Sequence, residues 1–171
     1  MTHESRVNAI VSAFEEAMAR FSSRLTGAAA ADAERPRADG GWSAAQIAWH
    51  VAVVNHSFAS VIDGSRPVAQ APAADFIERT WDEIGGSLEK RIEAPARARP
   101  EGLVARDDAA AKLAASGELL LAALRSLDAE RARMTIDSPI VGRVSLYQVG
   151  EWAVAHVVRH NKQMKQVLGE G

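Results

Sequence analysis

Four stretches of the chain place apolar residues at steps of three and four, the spacing that lines one side of an α-helix. In the first, Val7, Ile10, Phe14, Ala17, Phe21 and Leu25 form the stripe, Val11 and Met18 fill it, and Gly27 ends it. In the second, Ile47, Val51, Val54, Phe58 and Val61 recur between Ser43 and the stop signal Asp63-Gly64. Leu113, Gly117, Leu120, Leu124 and Leu127 make a third, opened by Asp107-Asp108, whose charges suit a helix N-terminus. Leu146, Val149, Ala153, Val157, Met164 and Val167 make a fourth, from Ser145 to Gly169.

The punctuation agrees with the period. Prolines 36, 67, 72, 95, 100 and 139 all fall between these stretches, where they break no helix. The second and fourth stretches open with the same pattern, Ser43-x-x-Gln46 and Ser145-x-x-Gln148, in which hydroxyl and amide satisfy free backbone groups of the first turn. β-Branched residues are scattered rather than gathered into alternating runs, so strands are not expected. The prediction is an all-α fold, a four-helix bundle with long connections, in a single domain over 1–171.

Two connections stand out. GAAAADAERPRADGG, between the first two helices, is poor in large apolar residues and reads as a surface link. In 65–106, Phe76, Ile77, Trp81, Ile84 and Leu88 suggest a short helix weakened by Gly85-Gly86, followed by the loose stretch EAPARARPEGLVARDD. That segment is expected to act as a lid or as packing.

Composition narrows the function. Twenty Lys and Arg against 22 Asp and Glu leave a net charge of -2, with no basic surplus to neutralise nucleic acid or anionic lipid. The absence of cysteine excludes a disulfide framework, a thiol nucleophile and thiolate metal sites. The opening residues have no signal-peptide character, and no apolar run could span a bilayer, so a cytoplasmic location is expected.

Any metal must then be held by His, Asp or Glu, which makes the face of each histidine informative. His3 precedes the first helix, in an end expected to fray. His56 lies nine residues after Ile47, about 180° round the helix, and should face solvent. His50 lies on the apolar stripe, three residues after Ile47 and four before Val54. His156 and His160 are one turn apart on the fourth stripe, a spacing that lets both rings reach one ion.

A single histidine on an apolar face is more often a core residue bonded to a carbonyl, and His-x-x-x-His alone is weak. Three together change the weighing, because each buried imidazole needs partners for two ring nitrogens. A zincin would need Glu after the first His, where the chain has His156-Val157-Val158-Arg159-His160. A ferritin-like di-iron site would need carboxylates on the apolar stripes, which carry none. A mononuclear site with His50, His156 and His160 as ligands remains, leaving room for water or substrate. Around it, Arg159 suits an anionic substrate or merely solvent, Trp152 a pocket wall or core packing, and Gln163 a contact behind the ligands or an ordinary interface. Trp42 and Trp49 read as packing.

Gly41-Trp42-Ser43-x-x-Gln46-Ile47-x-x-His50, Gly142-Arg143-Val144-Ser145-Leu146 and His156-x-x-x-His160-x-x-Gln163 resemble the DinB/YfiT-like superfamily of four-helix-bundle metalloenzymes. The resemblance implies a divalent metal, commonly nickel or zinc, at one end of a bundle pocket, with ligands falling on His50, His156 and His160. It implies a small-molecule substrate and a thiol-dependent S-transferase or isomerase using bacillithiol, mycothiol or glutathione, or else a hydrolase. A chain without cysteine is compatible with a thiol supplied by a cosubstrate. The alternative is a non-catalytic metal- or small-ligand-binding stress or regulatory protein. Third comes a bundle that pairs through its helix faces as a homodimer and holds no metal.

Overall fold

In the computed structural model, which describes residues 1–80, 83 and 93–169, all four periodic stretches are helices. They are α1 (His3–Gly27), α3 (Ala44–Asp63), α4 (Arg106–Arg125) and α6 (Leu146–Val167), with single helical turns at α2 (Ala30–Ala33) and α5 (Ala129–Ala132). Ser43 and Ser145 cap α3 and α6, each in a complete capping box with Gln46 and Gln148. Gly64 ends α3 with φ +88°, a left-handed turn that costs glycine little.

The stripes form the core. Phe14, Phe21, Leu25, Ile47, Leu113, Leu120, Leu124, Leu146 and Met164 are fully buried, while Val54 and Val167 pack at its margin. Where α1, α4 and α6 converge, a methyl group on Gly150 would stand 2.9 Å from Leu124 Cδ2 and 3.1 Å from Ile10 Cγ2. The missing side chain lets three backbones approach.

Helix order follows from the pairs that touch. α1 and α3 each pack against α4 and α6, so α1 faces α3 across a diagonal, as α4 faces α6. Arg6 meets Glu151 and Arg24 meets Asn161, which makes α1 and α6 parallel. Glu15 meets Arg125 while Met18 approaches Gly117, so α1 and α4 are antiparallel. His50 meets His156 and Phe58 meets Trp152, so α3 and α6 are antiparallel too. α3 and α4 therefore run the same way, and the chain between them must return the length of the bundle. That is why 64–105 is long.

Several expectations need correction. Residues 28–43 are not only a surface link, because α2 buries Ala33 completely. A β-hairpin not expected from the sequence, β1 (Thr135–Ser138) and β2 (Gly142–Ser145), precedes α6, with Gln70 bridging to Thr135. Its four-residue strands are too short for alternation to stand out. His3 is no frayed end: Thr2 caps α1, and His3 Nδ1 lies 2.7 Å from the Tyr147 hydroxyl. In 65–106, Phe76 is half-buried and Ile77 is exposed, while Trp81, Ile84, Gly85, Gly86 and Leu88 lie outside the described residues. The loose stretch after them contains a 3₁₀ turn at Ala96–Ala98. Among the described residues, no helix is long and apolar enough to cross a membrane.

Candidate metal centre

The antiparallel pair α3/α6 brings together histidines far apart in sequence. His50 stands near the start of α3, and His156 and His160 occupy successive turns of α6. One ring nitrogen from each lies within 4.8 Å of the other two. The Nε2 atoms of His50 and His156 are 3.3 Å apart. Two nitrogens bound at about 2.0–2.1 Å to one tetrahedral ion would be separated by about 3.3 Å.

Hydrogen bonds fix which nitrogens face inward. His50 Nδ1 donates to the Ala98 carbonyl at 2.7 Å, and His160 Nδ1 donates to Gln163 Oε1 at 2.8 Å. A neutral imidazole carries one proton, so both Nε2 atoms present lone pairs. His156 Nδ1 is buried without a hydrogen-bond partner among the described residues. Trp42 packs on His50 at 4.9 Å between ring centroids, and Phe58 stands edge-on to His156 at 6.2 Å and beside Trp152 at 5.1 Å. The family model of the DinB superfamily matches residues 13–164.

The chain belongs to the DinB superfamily. Among solved structures, a conserved protein from Enterococcus faecalis is similar, with a TM-score of 0.64 and 18% identity, over 98% of this chain and 96% of that one. YfiT from Bacillus subtilis, described as a probable metal-dependent hydrolase with an unusual four-helix bundle topology, is similar with a TM-score of 0.59 and 18% identity. That likeness covers 99% of this chain and 90% of YfiT. Comparison with curated proteins gives no match.

The site of this DinB-superfamily chain keeps its imidazoles neutral. Burial pushes the His50 pKa down, partly opposed by the Ala98 carbonyl. Burial pushes His156 well below the ordinary value, helped by repulsion from His160, His50 and Arg159. His160 is lowered to about 4 by burial and by His50 and Arg159, against the hydrogen bond it donates to Gln163. Neutral nitrogen donors with preset tautomers are what a divalent ion requires, and the donor set fits one.

Among the described residues, the cluster is made of His50, His156 and His160 alone, without a carboxylate. His56 is exposed, as its helix face demands. Trp42 and Trp49 pack against the core as expected, but Trp42 also touches a site ring. Gln163 stands behind a site histidine, and its spacing of three from His160 was a usable signal. Arg159 is exposed and acts on the site through its field. Sequence reasoning missed the Ala98 carbonyl and Phe58 as neighbours of the cluster. A backbone acceptor leaves no mark in a sequence, and Phe58 was indistinguishable from other core positions.

Proposed function

We propose that this chain, as one domain over 1–171, is a metal-dependent enzyme whose single divalent ion is held by His50, His156 and His160. The observation that carries the reading is the pair of Nδ1 hydrogen bonds, to Ala98 and to Gln163, which leave the Nε2 lone pairs free in a cluster whose ligand nitrogens lie within 4.8 Å of one another. A divalent ion there supplies Lewis acidity, making a water or a thiol nucleophilic at neutral pH. Three neutral ligands leave its positive charge undiminished.

The protein's own residues supply orientation and enclosure. Ala98 and Gln163 hold two imidazoles in register, while Trp42 packs on His50 and Phe58, backed by Trp152, stands edge-on to His156. The substrate is a small molecule, because the site lies between helices rather than on an extended surface. The nucleophile is water or a cosubstrate thiol; the likeness to YfiT, described as a probable metal-dependent hydrolase, supports water, and the absence of cysteine leaves the thiol reading open. Nickel and zinc are the ions to test first.

Metal analysis of freshly purified protein should find one ion per chain. Screening the loaded protein against esters and amides, and separately against electrophiles with bacillithiol, mycothiol or glutathione, then distinguishes hydrolysis from thiol transfer. Stoichiometric metal without turnover in either screen would favour a binding protein instead.

A further inference from the structure

The connection 64–105 runs from one end of the bundle to the other, and both capping-box glutamines reach it. Gln148 at the start of α6 donates from Nε2 to the Arg79 carbonyl at 2.7 Å, and Ser145 donates to Glu78 beside it. Gln46 at the start of α3 donates from Nε2 to the Gly102 carbonyl, also at 2.7 Å. In both cases Oε1 is committed to the capping serine's backbone N–H, at 2.9 Å for Ser43 and 3.3 Å for Ser145. Each glutamine thus does two jobs with two different atoms.

The two ends differ in what they touch. Within 93–104 only Ala98 is fully buried, Val104 packs at the margin of the core and Leu103 is 81% exposed, so apolar packing holds this part at few points. Among the described residues, its hydrogen bonds to the bundle are His50 to Ala98 and Gln46 to Gly102. Gln46 and His50 lie one helical turn apart on α3, so they grip the same segment four residues apart. Gly102 adopts φ +65°, which turns the backbone there without side-chain strain. Among the described residues, the carbonyl that sets the His50 tautomer therefore sits in a segment whose other hydrogen bond to the bundle comes from Gln46.

We propose that Gln46 is a positioning residue for the three-histidine site. It anchors 93–104 so that the Ala98 carbonyl holds His50 Nδ1–H and keeps Nε2 turned toward His156 and His160. The consequence for metal affinity rests on the function proposed above; the consequence for the His50 tautomer does not. Gln148 is the matching clamp at the other end, remote from the histidines.

The test is Gln46→Glu. Glutamate keeps the Oε1 acceptor and is a favoured residue at that position of a capping box, but it has no N–H for Gly102. In the metal-free full chain, tryptic cleavage after Arg97 should rise about fivefold, the factor expected when local opening loses a hydrogen bond of roughly 1 kcal/mol. The ¹⁵N spectrum of the His50 ring should move from a single Nδ1–H tautomer to a mixture. Zn²⁺ affinity should fall about tenfold or more. Gln46→Met should reproduce these changes and also lower melting temperature through loss of the box. Gln148→Glu should speed cleavage after Arg79 while leaving the His50 spectrum and Zn²⁺ affinity as in the wild type.

Wild-type cleavage and a wild-type His50 spectrum in Gln46→Glu would overturn the proposal. Faster cleavage with an unchanged tautomer would also overturn it, by showing an anchor that positions nothing. If the spectrum and cleavage change as expected but even the wild type takes up no Zn²⁺, the positioning role stands and the metal reading fails.

Discussion

His50 and His156 bring their Nε2 atoms to 3.3 Å across a sequence separation of 106 residues. No local element makes that contact. It depends on α3 and α6 being antiparallel neighbours, and on His50 being turned by a carbonyl from a third segment. The histidine cluster is thus a product of bundle topology, and core packing, tautomer control and titration each bear on it separately.

Behind the cluster, Gln163→Leu should weaken Zn²⁺ binding by roughly 10- to 100-fold, because His160 loses the acceptor that fixes its tautomer. Circular dichroism of the metal-free variant should match the wild type, since Gln163 is only half-buried. Calorimetric titration with Zn²⁺ checks the affinity. Unchanged affinity would mean that the hydrogen bond does not orient the ring.

In the core, Leu120→Ala should cost roughly 2–5 kcal/mol through lost burial and the cavity left behind. Urea unfolding measures this as a shift in midpoint. A negligible shift would show that the helices can collapse around Leu120.

Much of this was legible in the sequence, for physical reasons. A helix turns at a constant angle, so counting residues placed His50, His156 and His160 inward and His56 outward. Ser43 and Ser145 announced their helices because a capping box lies within four residues. Helix direction was not readable, because periodicity is the same whichever way a helix runs. The His3–Tyr147 pair, 144 residues apart, and the hairpin at Thr135–Ser145 depend on contacts or lengths that the pattern does not encode. The second job of Gln46 and Gln148 was hidden because their partners are backbone carbonyls.

Acid should destabilise the metal-free chain. Unfolded histidines titrate near ~6.5, whereas burial holds the pKa values of His50, His156 and His160 lower, His160 at about 4. Between those values the unfolded chain binds more protons, so stability falls as the pH drops below about 6.5 and continues to fall toward pH ~4. The shift at His160, part of which is repulsion from His50, corresponds to a loss on the order of 3 kcal/mol. Above about pH 7 these groups are neutral in both states and add no pH dependence. Bound metal adds stability at neutral pH but competes with protons in acid, so the melting-temperature difference between Zn²⁺-loaded and metal-free protein should shrink from about pH 8 to about pH 5. A difference constant over that range would argue against histidine ligation.

The most direct measurement is Zn²⁺ stoichiometry in the wild type and four alanine variants, after stripping and reloading. One ion per chain is expected for the wild type and for His56→Ala, with binding abolished or greatly weakened in His50→Ala, His156→Ala and His160→Ala. Equal retention in all four variants, or equal loss from His56→Ala and His50→Ala, would contradict a metal centre built from these three histidines.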